Sequence, residues 1–181
     1  MPVTTVRHGA RQRPATPLTL HAFEALDRTH AEVVDSLRSL ERLLDRIEAA
    51  EGIDANARAQ ASTLCAFFDG TSRVHHEDEE RVVFPPLLAG GDVMLIAQVQ
   101  RLQQDHGWLE ENWRELKPML GAIADGIGGQ DLPTLRRMAA VFGALYIEHI
   151  ALEESLIYPA SRQCLQAIEV AERRRVAAAL A

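Results

Sequence analysis

Four long stretches of this chain, at about 19–50, 55–83, 92–125 and 133–157, carry apolar residues at spacings of three and four, and that period constrains the fold more than any other feature. Such spacing lines up one apolar stripe per helix, and each stripe has to be buried against a neighbour. The stripes read Leu26, Val33, Leu37, Leu40, Leu44 and Ile47 in the first stretch, and Ala61, Leu64, Phe68 and Ser72 in the second. The third gives Leu95, Val99, Leu102, Leu109, Trp113, Leu116 and Leu120, and the fourth Leu135, Met138, Phe142, Leu145 and Leu156. Gly52 and Asp54, then Pro85, Pro86, Gly90 and Gly91, then Gly126, Gly128, Gly129 and Pro133 mark the breaks. Short connections between long helices produce antiparallel neighbours, so the expected fold is all-α, an up-down-up-down four-helix bundle over 20–160.

Two flanking segments complete the chain. Residues 1–19 hold Pro2, Pro14 and Pro17 with Arg7, Arg11 and Arg13 ahead of the first acid at Glu24, and read as a flexible leader. After Pro159 a stretch over 160–181 predicts an additional C-terminal helix (161–181), with Arg173, Arg174 and Arg175 on a solvated face. The chain's 19 basic against 26 acidic residues, a net charge of −7, disfavour a nucleic-acid partner or an acidic membrane surface. No apolar run reaches the roughly 18 residues of a membrane span, and no secretory apolar segment opens the chain, so a cytoplasmic location is expected. Cys65 and Cys164 are too far apart in sequence for a zinc knuckle or a redox pair.

Each apolar stripe is interrupted by a histidine: His30, His75, His106 and His149. At 100° per residue His75 falls on its stripe between Ser72 and Val82, with His76 turned about 100° away. Glu79 follows His75 by four residues and Glu153 follows His149 by four, which places each pair on one helix face. Counted from the turn at Gly52, His30 lies 22 residues before and His75 23 after; counted from Gly128, His106 lies 22 before and His149 21 after. Within each hairpin the histidines therefore share a level. The chain also repeats: His75-x-x-x-Glu79 ending in Phe84-Pro85 matches His149-x-x-x-Glu153 ending in Tyr158-Pro159, as a duplicated hairpin would.

One histidine on an apolar face is ordinarily a hydrogen-bonded core residue. Four of them with two carboxylates are different, because burying unpaired charge costs several kcal/mol per group, and cations remove that cost. A purely structural hydrogen-bond network is the alternative. Imidazole and carboxylate donors without inward thiolates suit iron or manganese within a helical bundle. Glu79 and Glu153 as bridges would leave two imidazoles per metal and room for an oxo or hydroxo bridge and an outside ligand. Two divalent ions and two carboxylates sum to a positive centre that attracts small anions.

The segments "DRTHAEV", "HHEDEERVVFP", "QQDHGWLEENW" and "YIEHIALEESLIYP" resemble the hemerythrin-like, HHE cation-binding family over roughly 20–160. The resemblance implies His30, His75, Glu79, His106, His149 and Glu153 as ligands of two non-haem irons, with manganese or a mixed metal pair left open. It departs from the oxygen-carrying hemerythrins, which have a second histidine where this chain has Glu110 and an aspartate five residues after the last histidine where this chain has Glu153 at four. A four-imidazole centre is therefore expected. The pattern is closer to members that sense iron or oxygen, handle peroxide or respond to nitric oxide.

Two functions follow as expectations. One is a di-iron protein that binds dioxygen, peroxide or nitric oxide for sensing or detoxification, with enzymatic turnover left undecided. The other is an iron-responsive interaction domain with a protein partner and no turnover. Around the six residues, Tyr146, His76 and Glu110 are candidates for an outer layer; Tyr146 reads either as a donor to a metal ligand or as a core tyrosine with its hydroxyl satisfied. His76, Glu77, Asp78 and Glu80 read as a solvated face from which His76 or Glu77 could join the site. Asp105 reads as surface, and Trp108 and Trp113 as packing residues.

Overall fold

The structure is a computed structural model that describes residues 20–180, so the leader expected over 1–19 lies outside the described residues. Its elements are α1 (Leu20–Ala50), α2 (Ala55–Asp69), α3 (Thr71–Asp78), a π-helical turn (Glu79–Val83), α4 (Phe84–Ala89), α5 (Val93–Ala124), α6 (Leu132–Leu152), a second π-helical turn (Glu153–Ile157) and α7 (Tyr158–Ala179). Among the described residues there is no strand. Helix α1 packs on α2 and α6, and α5 packs on α2 and α6, which closes the up-down-up-down four-helix bundle.

Aspartates start three of the long helices. Asp54 accepts from the Ala57 N–H at 2.7 Å, Asp92 from Met94 and Leu95, and Asp131 from Thr134, so each satisfies amide donors that the first turn leaves free. Gly126 ends α5 at φ 78°, where a side chain would be strained and would also meet Arg58 at 3.1 Å.

The expected breaks at the prolines are absent. Pro85 and Pro159 lie at the starts of α4 and α7 in a helical path that runs on without a gap. The cause is the π turn before each. The Phe84 N–H reaches back five residues to the Glu79 carbonyl, and the Tyr158 N–H to the Glu153 carbonyl. That wider turn accommodates a ring with no N–H to give, which an α-turn would resist. The middle connection is therefore at Gly90–Asp92, and α7 begins two residues before 160.

The π turns also shift the phase of the stripes by one residue. Val83 and Ile157 are fully buried, whereas Val82 is half-buried and Leu156 is 38% exposed, against the inward placement expected of both. Trp108 is exposed too, while Trp113 is buried and donates to Asp69 at 2.9 Å.

Two apolar clusters result. One gathers Leu40, Leu43, Phe68, Leu116 and Phe142 with their neighbours, and the other Phe23, Leu26, Val83, Phe84, Leu102, Ile157 and Tyr158. In α1 His30 falls between Leu26 of the second cluster and Val33 of the first, and in α5 His106 falls between Leu102 and Leu109 in the same way. A polar layer thus separates two greasy ones.

Phe142 is fully buried with rings of Phe68, Trp113 and Tyr146 around it. Phe142→Ala is expected to lower the unfolding free energy by roughly 3–5 kcal/mol, and Val141→Ala on the exposed face by less than about 0.5 kcal/mol, as read by urea unfolding.

Candidate metal centre

All six residues expected at the site are buried and close together, and a seventh joins them. The donor atoms of His30, His75, Glu79 and Glu153 lie within 4.8 Å of one another, and so do those of His76, Glu79, His106 and His149. Glu79 belongs to both groups. Each group could hold one cation, with Glu79 between them.

His76 corrects the sequence reading. It is not on a solvated face: it is 6% exposed, and its ring stacks on His106 with centroids 4.1 Å apart. A helix inside a square bundle has two neighbours about a right angle apart, so adjacent residues can both point inward. His75 faces His30 of α1 at 4.8 Å, and His76 faces His106 of α5. Five imidazoles converge, not four. Asp105 beside His106 follows the same rule: it is buried, with its carboxylate 3.9 Å from His149 Nδ1 and 3.8 Å from Arg101.

Further carboxylates stand behind the histidines. His30 Nδ1 lies 3.1 Å from Glu154 and His106 Nδ1 lies 2.9 Å from Glu80, each acid being the residue after the inward glutamate of its π turn. An Nδ1–H donated outward fixes the tautomer and leaves Nε2 facing the centre. Sequence reasoning took Glu80 for a solvated residue; the repeated Glu-Glu in both motifs was the available signal. Glu77 is exposed and pairs with Arg73. Glu110 is exposed as well and belongs to neither donor group.

The two tyrosines differ. Tyr146 is buried and hydrogen-bonded to Ser72, its counterpart three residues before the other inward histidine, so it is a core tyrosine with its hydroxyl satisfied. Tyr158 is fully buried, stacks on His30, donates to Glu79 Oε1 and has its hydroxyl 3.1 Å from His30 Nε2. Burial and the nearby Glu79 and Glu153 charges push its phenol far above the usual range.

The layer's electrostatics are those of a crowded site. Burial and then the Glu79 charge raise Glu153 well above the ordinary carboxylate value. Burial would raise Glu79 likewise, but His75 and the other imidazoles hold it well below. Two carboxylates in one dry space oppose each other's ionisation, which drives their pKa values apart. Burial lowers His75 to about 4 and His76 well below its usual value. For His30 burial acts downward too, but the Glu153 carboxylate, 3.1 Å from its Nε2, with Glu79 and Glu154, outweighs it and raises the pKa.

Among the described residues, the buried side-chain N and O atoms without a hydrogen-bond partner all belong to this layer: His75 Nδ1, His76 Nε2, Glu79 Oε2, His106 Nε2, both nitrogens of His149 and both oxygens of Glu153. Native interiors rarely leave such groups unpaired, and a cation accepts lone pairs of this kind. The residues fit a metal. A cavity of about 450 Å³ reaches the layer between α2, α3, α5 and α6, with His76, Ser72 and Tyr146 among its lining and Glu110, Arg114 and Lys117 around it.

The sequence profile of the hemerythrin HHE cation binding domain matches residues 21–161. An uncharacterized protein of Haemophilus influenzae is 29% identical over 145 residues, which cover 80% of this chain and 81% of that protein. No solved structure matches the chain.

Burial and the Glu79 charge push the Glu153 carboxyl up, and Glu153 with its neighbours pushes the His30 imidazole up, so a cation competes with protons at these two groups, whereas burial pulls His75 down to about 4 and His76 well below its usual value. Metal affinity is therefore expected to rise as pH rises from about 6 to 8 and to weaken as it falls, with about one or more protons released per chain. Calorimetric titration of Zn²⁺ in two buffers of different ionisation enthalpy reads that release.

Proposed function

The chain belongs to the hemerythrin HHE cation-binding domain family, and on that footing we propose that its buried layer holds two iron ions and offers a small ligand, dioxygen, peroxide or nitric oxide, a place to bind. His76, Glu79, His106 and His149 would hold one ion, and His30, His75, Glu79 and Glu153 the other. The observation that carries the reading is the set of buried imidazole and carboxylate atoms without a hydrogen bond, all belonging to one layer.

The donor set suits iron, with manganese or a mixed pair as the alternative. It is imidazole and carboxylate throughout, and neither Cys65 nor Cys164 belongs to the donor groups, so softer metals lack their preferred partner. When bound, iron supplies Lewis acidity and electron transfer. The chain's own residues supply the rest. Glu80 and Glu154 hold His106 and His30 in one tautomer. The apolar clusters on either side keep bulk water from the layer. The cavity beside His76 gives a small molecule a way in. With five imidazoles present, dioxygen stands beside peroxide and nitric oxide as a ligand.

One observation favours a regulatory reading of the same centre. Glu153 and Glu154 lie in the π turn that leads directly into α7, and α7 is exposed from residue 166 onward. Filling the centre would steady that turn and with it the direction of α7, which a protein partner would read. Sustained peroxide consumption by the loaded protein supports reaction; a large stability gain without consumption supports sensing.

Protein from iron-supplied cells is expected to contain two irons per chain by elemental analysis, with near-ultraviolet absorption that a chelator abolishes. Ferrous ion at a hundredfold excess over Kd should add about 2.7 kcal/mol of stability for each ion held, a rise in Tm of roughly 5–10 °C per ion. His149→Ala and Glu153→Ala should each lower iron content and remove most of that rise, whereas Glu110→Ala at the exposed rim should leave both as they are. Iron-supplied protein with no bound metal and no chelator effect would end this reading.

A further inference from the structure

Resting on the metal-holding reading above, we propose that Tyr158 selects the small ligand: its hydroxyl hydrogen-bonds an anion held at the position lined by His30, His75, Glu79 and Glu153. The hydroxyl's present partners are Glu79 Oε1 and, at 3.1 Å, His30 Nε2. Both residues belong to that donor group. Imidazole Nε2 has a single lone pair, so once it faces a cation it no longer accepts from Tyr158. Glu79 Oε1 holds the hydroxyl's single proton while the position is empty, and a cation that draws on the carboxylate weakens it as an acceptor, so that proton can pass to an anion that completes the position. The ring is fully buried against His30 and Phe23, so water does not compete for the hydroxyl.

The duplicated motif contains its own control. Phe84 is the counterpart of Tyr158 and is just as buried. It stacks on His106 at 5.7 Å and 19°, as Tyr158 stacks on His30 at 5.2 Å and 10°. Packing an aromatic ring on the inward histidine therefore does not need a hydroxyl. Only one of the two halves has one, and the chain's other tyrosine, Tyr146, has its hydroxyl bonded to Ser72. The hydroxyl makes the two ends of the layer chemically unequal. It favours ligands with an exposed anionic lone pair, such as azide or hydroperoxide, over neutral diatomics that accept hydrogen bonds poorly.

The test uses the full chain and Tyr158→Phe, both loaded with iron, with azide titrated optically into the ferric form and nitric oxide into the ferrous form. The variant is expected to keep the wild-type iron content, to bind azide roughly tenfold or more weakly, and to bind nitric oxide within about twofold of wild type. Unchanged azide affinity in the loaded variant overturns the assignment. So does a fall in iron content with azide binding per loaded centre unchanged, since Tyr158 would then only position Glu79. A visible phenolate-to-iron band in wild type that disappears in the variant also overturns it, because Tyr158 would then be a ligand. A wild-type chain that takes up no iron sinks the metal reading and this assignment together, whereas the other failures leave the metal reading standing.

Discussion

The structure turns on a conflict between burial and charge. Two carboxylates and five imidazoles occupy a layer with apolar packing above and below, and their internal contacts leave eight donor atoms without hydrogen bonds. Hydrogen bonding alone settles the layer only partly: burial and then the Glu79 charge push the Glu153 carboxyl up, and burial pushes the His75 and His76 imidazoles down. Cations would take up the imidazole and carboxylate lone pairs that face one another in the two donor groups, and the rest of the bundle is arranged to make that possible. Outer carboxylates orient two imidazoles, aromatic rings support them, and the apolar clusters fix the distances between helices.

Duplication organises the layer and also differentiates it. Both halves place an inward histidine, a glutamate at the start of a π turn, a second glutamate facing outward and an aromatic residue before a proline. Ser72 and Tyr146, at corresponding positions, bond to each other across the bundle. The halves then part. His76 corresponds to Ile150, and Phe84 to Tyr158, so one cation position gains a third imidazole and the other gains a hydroxyl.

Helix periodicity and turn residues made the four-helix bundle legible before any coordinates, and the stripe-breaking histidines located the layer. The misses have two physical sources. Projecting a helix onto one inward direction hides residues that face a second neighbour, which is why Asp105 reads as surface and His76 as a solvated residue with at most an outer place in the site, although both are buried. Projecting with a uniform pitch fails after a π turn, which is why Leu156 and Val82 were placed where Ile157 and Val83 belong. Glu80 and Glu154 escaped because they are substantially exposed, and only the position of a histidine on another helix gives them work to do.

The π turns have an evolutionary corollary. Each is one residue longer than the regular spiral would require, and that surplus is what lets the glutamate and the following valine–phenylalanine or isoleucine–tyrosine pair face the interior together. Changes of side-chain type on the outer face of 79–83 or 153–157 leave this geometry alone. Loss of a single codon there does not, for it swings everything downstream through a third of a revolution. Lineages of this chain should accordingly accumulate length variation in the connection over 125–131 and almost none in those two pentapeptides.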